Sequence, residues 1–158
     1  MSNAYVTCER TFDAAAGVRH LADQLRRLAA GAPAGSWLTS LAETGDALAV
    51  EAATAAQTLE LCLAAISASD AGPAPAEGAG GAQLARACRT VLMTARDASA
   101  QRARLTYSRC ADYAARVEEH VGNHLGAGRA VGGATFARHA RLLRPRSGAY
   151  AYLADPGL

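Results

Sequence analysis

The sequence predicts an all-α protein: an antiparallel up-down helical bundle of three long helices followed by a short C-terminal helix. Three observations carry this reading. Apolar residues recur at alternating steps of four and three along three long stretches, the spacing that puts side chains on one face of a helix. No stretch alternates apolar and polar with the period of two that a strand requires. Gly- and Pro-rich segments fall at 31–36 and 70–81, where a bundle of this topology needs its turns. At 158 residues the chain has the length of one domain, and such a domain buries roughly 70% of the surface its unfolded chain exposes. Residues 1–158 are therefore read as a single helical-bundle domain.

The first helix is expected from Thr11, with Thr11 as N-cap and Asp13 in the first turn. Its apolar face is Ala14, Val18, Leu21, Leu25 and Leu28, with Arg19, Asp23, Arg26 and Arg27 outside it and Gly31 as its stop. Residues 1–10 carry no strong pattern. Ser36 can cap the second helix, whose seam reads Leu41, Gly45, Leu48, Ala52, Ala55, Leu59, Cys62 and Ile66. The centre of that seam (Gly45, Ala52, Ala55) is small, so a partner helix can approach closely there. Residues 70–81, DAGPAPAEGAGG, read as a flexible linker because six of the twelve are Gly or Pro.

With no Gly or Pro between them, 82–121 read as one helix, about 60 Å long at 1.5 Å per residue. Its seam begins as Leu84, Cys88, Val91, Ala95 and Ala98. Continued in the same register, it would bring Arg102, Arg109 and Arg116 inside. The apolar face resumes instead at Ala103, Tyr107, Cys110, Ala114, Val117 and Val121. A stutter in a continuous helix near Ala98–Ala103 accounts for the shift. Beyond Gly126 the pattern loosens. A short helix over 135–143 with Phe136, Ala140 and Leu143 on one side, stopped by Pro145, and an extended tail over 144–158 complete the expected chain.

Composition narrows function more than it defines it. There are 41 alanines, and all 16 basic residues are Arg, the bias of a GC-rich genome. The absence of Lys excludes Schiff-base and P-loop chemistry. No apolar run approaches 18 residues, so no membrane span is expected. No basic n-region precedes an apolar h-region at the N-terminus, and the expected location is the cytoplasm. Charge is uneven: residues 1–81 hold four Arg against nine acids, net −5, and residues 82–146 hold twelve Arg against four, net +8. Such a polarity marks either a surface for nucleic acid or another anion, or an acidic helix facing a basic one within the bundle.

Catalytic constellations are missing. No GxSxG and no Cys-His signature is present, Glu118 and Glu119 point in different directions on a helix, and the Gly-rich segments follow no strand. His120 and His124 stand four apart, without the Glu of an HExxH motif. Four cysteines form no CxxC. If the second and third helices fold back about residue 75, Cys62 and Cys88 share one level, and the first hairpin brings Cys8 near them. Those three thiols are the one candidate soft-metal cluster; the alternative is that they are buried thiols, which pack as small hydrophobes. No cofactor is expected.

The run Ala16–Glu60, AGVRHLADQLRRLAAGAPAGSWLTSLAETGDALAVEAATAAQTLE, resembles in outline the Trp-x-Gly helical hairpin of the small secreted type VII bundles. Trp37 stands at the turn, but position 39 is Thr rather than Gly. The resemblance implies only the helical hairpin that the periodicity already gives, and Trp37 is expected to close the bundle end beside Leu38. The resulting expectation is a non-enzymatic helical bundle acting through protein–protein interaction or as a homo-oligomer. Its candidate contact residues are Arg102, Arg109 and Arg116 on the third helix, Arg138, Arg141, Arg144 and Arg146 beyond it, and the tail aromatics Tyr150 and Tyr152. A nucleic-acid accessory protein using the same Arg stripe is the first alternative, and soft-metal binding by Cys8, Cys62 and Cys88 is the second.

Overall fold

The computed structural model describes residues 3–31, 37–72 and 78–125. They form three packed helices, α1 (Asn3–Ala29), α2 (Trp37–Ala71) and α3 (Ala79–Leu125), with no strand among the described residues. The expected short helix over 135–143 lies outside the described residues.

Helix α1 begins eight residues earlier than the periodicity indicated. Thr11 is not an N-cap but a fully buried residue in mid-helix, and its apolar face extends back through Cys8 and Thr7. Threonine read as polar hides this face. In α1 the Thr7 hydroxyl donates to the Asn3 carbonyl at 3.0 Å, and the Thr11 hydroxyl lies 2.7 Å from the Thr7 carbonyl and 3.3 Å from that of Ala103 on α3. With the hydroxyl satisfied by the preceding turn, the rest of the side chain can be buried at little cost. At its C-terminus α1 closes through Ala30 N–H to Arg26 C=O and Gly31 N–H to Leu28 C=O, and Arg26 and Arg27 complement the helix dipole in the last turn.

The α2 seam is as expected at its centre, where Gly45, Leu48, Ala52, Ala55 and Leu59 are buried; Leu41, Cys62 and Ile66 are only partly covered. The buried face is wider than the seam and includes Leu38, Ala42, Ala49, Ala56 and Leu63. Gly45 is a point of close approach. A Cβ there would lie 2.7 Å from Cζ of Tyr113, closer still to its hydroxyl oxygen, and 3.2 Å from the Cβ of Ala22. The Tyr113 hydroxyl donates to the Leu41 carbonyl at 2.7 Å. Side chains of α1 and α3 thus converge on the bare backbone of α2. By length and composition α2 is also apolar enough to cross a bilayer, although no span was expected from the lengths of uninterrupted apolar runs. It reaches that mark through alanine and sparse charge, and its buried face lines the bundle.

The linker is shorter than its composition suggests: α2 continues to Ala71, and α3 starts at Ala79 and takes in Gly80 and Gly81. The break before α3 is set by Gly78, whose φ of 124° is open only to glycine at little cost. Its carbonyl then accepts from Ala82 N–H to close the first turn.

The second α3 seam is buried as expected, from Ala103 through Tyr107, Cys110, Ala114 and Val117 to Val121. The first is not. Gln83–Val91 are exposed throughout, with Leu84 at 66% and Val91 at 67%. The helix is continuous across the change of register. Two apolar registers on one helix therefore face two directions, and the bundle covers one of them. Two core clusters result: a larger one built on Val18, Leu21, Leu25, Leu48, Val117 and Val121, and a smaller one on Cys8, Ala56, Leu59, Leu63 and Ala103.

Two glycines give opposite expectations. Gly45→Ala should destabilise by about 1–3 kcal/mol, since overpacking against Tyr113 outweighs the gain in helix propensity. Gly80→Ala, which meets no atom within 4 Å, should stabilise by up to about 1 kcal/mol. Urea-unfolding midpoints of the two variants check both signs.

Candidate functional site

The sequence-derived candidates fall into three groups with different fates. The cysteines are not brought together. Cys8 is buried, and its Sγ lies 3.3 Å from the Ala56 carbonyl oxygen; Cys62 is partly covered, with its Sγ 3.7 Å from Ser99 Oγ; Cys88 is exposed. The expected fold-back about residue 75 would set Cys62 level with Cys88. Cys62 instead meets Ser99, eleven residues further along α3. Among the described residues, no three His, Cys, Asp or Glu side chains are placed to share a metal ion. His120 stands edge-on to Trp37, with ring centroids 6.2 Å apart and planes at 71°. Trp37, 38% exposed, thus sits at one end of the bundle beside buried Leu38.

Burial sets the thiol chemistry. Desolvation pushes the Cys110 thiol up to about 12, with nearby Arg109 opposing and Glu51 adding. Desolvation also raises Cys8, helped by the charges of Glu60 and Glu9. Neither is a nucleophile at neutral pH.

The arginines divide by face. Arg109 pairs with Glu51 of α2 at 2.5 Å, Arg89 pairs with Asp70 at the end of α2, and Arg96 pairs with its neighbour Asp97. Asp46 pairs with Arg26 of α1 rather than with an α3 arginine. Three acids of the second helix are thus paired, Asp46 from α1 and Glu51 and Asp70 from α3. These pairs are exposed and contribute little to stability individually; their effect is to remove unpaired positive charge from the surface. Arg102 is exposed on the outer face. Arg138, Arg141, Arg144, Arg146, Tyr150 and Tyr152 lie outside the described residues.

Arg109 and Arg116 do share a feature. With Thr44, Ala47, Leu48, Glu51, Asp112 and Tyr113 they line an open groove of about 390 Å³ between α2 and α3. Its chemistry is self-contained: Glu51 is held by Arg109, and the Tyr113 hydroxyl is turned to the Leu41 carbonyl, with desolvation raising its pKa and Arg26 opposing. These lining residues include no activated nucleophile.

A stripe of α3 that the bundle leaves uncovered is a different candidate. On α3, Leu84, Cys88, Val91, Ala98, Arg102 and Leu105 are exposed and Ala95 half-buried, at steps of four and three along one stripe. Toward α2 the same segment turns Arg89, paired with Asp70. The arm of α3 is thus inverted, with arginine inward and leucine and valine outward. Sequence reasoning found this stripe but assigned it to the core. The signal that could have placed it is the register change itself, since a helix with two apolar faces needs two partners. The chain matches no family model, no curated protein and no solved structure, so the stripe has to be read from its own chemistry.

Two measurements check these environments. Under native conditions a thiol reagent should label Cys88 first and Cys62 more slowly, with Cys8 and Cys110 reacting only on unfolding; peptide mapping after a time course reads the order. The raised pKa values of Cys110, Tyr107 and Tyr113 mean that the folded state holds these protons more tightly than the unfolded chain. Their contribution is complete below the unfolded thiol value of 9.0 and is lost as pH rises toward about 12. Urea midpoints should therefore fall with pH above 9.0, and less steeply in Cys110→Ala.

Proposed function

We propose that this chain is a non-enzymatic helical bundle that works through helix-mediated protein–protein contact, with another protein or with a second copy of itself. One observation carries the reading. The outward stripe of α3 keeps three large aliphatic side chains, Leu84, Val91 and Leu105, between 59% and 67% exposed at regular spacing along one helix; among the described residues α2 also exposes Val50 and Leu61. A stripe of this kind, at coiled-coil spacing on a continuous helix, suits the apolar face of another helix.

The arrangement proposed for the bundle is up-down-up and antiparallel. The order of contacts supports it: Arg26 of α1 meets Asp46 near the start of α2, while Cys8 meets Ala56 further on. Along α2, Trp37, Leu41, Glu51, Cys62 and Asp70 meet His120, Tyr113, Arg109, Ser99 and Arg89 in turn. With Asp70 level with Arg89, the first ten or so residues of α3 run past the end of α2 by about 15 Å. The stripe begins on that overhang.

The pairing of Arg89, Arg96 and Arg109 with acids weighs against the nucleic-acid reading, because phosphate binding draws on unpaired cations. The separation of Cys8, Cys62 and Cys88 weighs against the thiol-metal reading. Self-contained chemistry in the α2–α3 groove supports a role without catalysis, and a cytoplasmic location remains part of the proposal.

The test is to place a photo-crosslinking residue at position 91 and, as control, at the exposed Arg19 of α1 in the full chain. Discrete adducts from position 91 alone are expected. Adducts of equal yield from both positions, or none from 91, would refute the proposal. With the probe kept at position 91, Leu84→Glu with Leu105→Glu should abolish those adducts while changing stability by no more than about 0.5 kcal/mol, since both residues are exposed.

A further inference from the structure

We infer that the occupant of the α3 stripe is a second copy of the same stripe, docked antiparallel; the inference rests on the contact reading above and names its partner. Two features of the helix point there. The first is self-complementarity. When the stripe is laid against its own reverse about a two-fold axis near Met93, Val91 falls opposite Ala95 of the second copy, Cys88 opposite Ala98, and Leu84 opposite Arg102. The Val91 layers then pair a larger residue with a small one, the Cys88 layers pair two small residues, and the outer layers set a leucine against the aliphatic stem of an arginine whose charged end reaches the rim. Because the layers repeat in reverse order on either side of the axis, the two helices are spaced alike at both ends of the seam. A parallel pairing in register would set Leu84 on Leu84 and Ala98 on Ala98, pushing the helices apart at one end and leaving a gap at the other.

The second feature is charge. Positions flanking a coiled-coil seam usually carry the charges that select a different partner chain. Here the flanks are Ala85, Ala87, Leu92, Thr94, Ser99 and Gln101, all uncharged. The arginines of this segment lie off the flanks, at Arg86, Arg89 and Arg96, and the last two are paired with Asp70 and Asp97. On a helix this rich in arginine, two copies can meet along this stripe without bringing like charges together. An acidic partner helix, by contrast, would find no basic flank to select it.

The seam from Leu84 to Arg102 is about 27 Å long at 1.5 Å per residue. Association along so short a seam should be reversible and rise with protein concentration.

The test uses the full chain and the natural Cys88. Ala98→Cys, in a Cys62→Ser background that removes the thiol nearest to position 98, places a new thiol across from Cys88 of the second copy. Mild oxidation with diamide, which takes up the two hydrogens released as the bond forms, should give a covalent dimer. Peptide mapping should identify a disulfide between Cys88 and the new thiol at position 98, and adding Cys88→Ser should abolish it. The chain without Ala98→Cys should not link through Cys88, because the two Cys88 thiols of the antiparallel dimer sit about 15 Å apart.

A Cys88–Cys88 link would overturn the antiparallel register. A monomer at every concentration, with no link from Ala98→Cys, would overturn self-docking altogether. In that case the photo-adducts from position 91 decide the broader reading separately. Adducts to a different protein would leave helix-mediated contact standing with another partner, and adducts to residues 126–158 of the same chain would show the stripe covered from within.

Discussion

The bundle is organised around the absence of one side chain. At Gly45 the second helix offers bare backbone, and the ring of Tyr113 enters the space that any Cβ would take, while Ala22 closes it from the first helix. The Tyr113 hydroxyl then donates to the Leu41 carbonyl one turn earlier, which fixes how far α3 can slide along α2. A short, directional contact of this kind sets register more sharply than apolar burial, which is non-directional and tolerates sliding. The ion pairs Arg26–Asp46 and Arg109–Glu51 flank this point on either side, and they follow from the register rather than determine it.

Close approach is also what makes an alanine-rich core workable. Alanine favours helix but buries little surface, so a bundle built on it gains cohesion only if its helices lie near one another. The few large residues that are fully enclosed, among them Leu21, Leu25, Leu59, Val117 and Val121, fill the space that alanine leaves. Threonine supplies the remainder at Thr7, Thr11 and Thr106, each with its hydroxyl bonded to the carbonyl four residues back. Cysteine acts in the same way at Cys8 and Cys110, as a small buried group that burial makes chemically quiet.

Much of this was legible in the sequence, and the parts that were not share a cause. The α2 seam and the second α3 seam could be read directly because leucine, valine and alanine at four-and-three spacing have one physical meaning. The start of α1 was hidden because Thr7, Cys8 and Thr11 count as polar or neutral until their hydrogen bonds are known. The linker was overestimated because Gly80 and Gly81, although poor helix formers, sit in the first turn, where the penalty is small. The Leu84–Val91 seam was assigned to the interior because periodicity shows that residues share a face without showing what that face meets. Only the position of Ser99 against Cys62 and of Arg89 against Asp70 shows α3 running beyond its neighbours. The same offset separates the thiols that a symmetric hairpin would have grouped.

The two core clusters differ in a way that bears on motion. Around Gly45 three helices enclose leucine and valine; toward Ala79 the enclosure narrows to the smaller cluster around Leu59 and Leu63 and then ends, and from Gln83 to Val91 every residue is exposed. Backbone hydrogen bonds there are shielded by little more than their own helix. Free energies of local opening therefore descend along α3, with amide protons near Val117 exchanging only on global unfolding and those near Leu84 exchanging by fraying. The molecule is thus a stiff body carrying a loosely held lever, and whatever settles on the lever lowers its entropy without having to disturb the body.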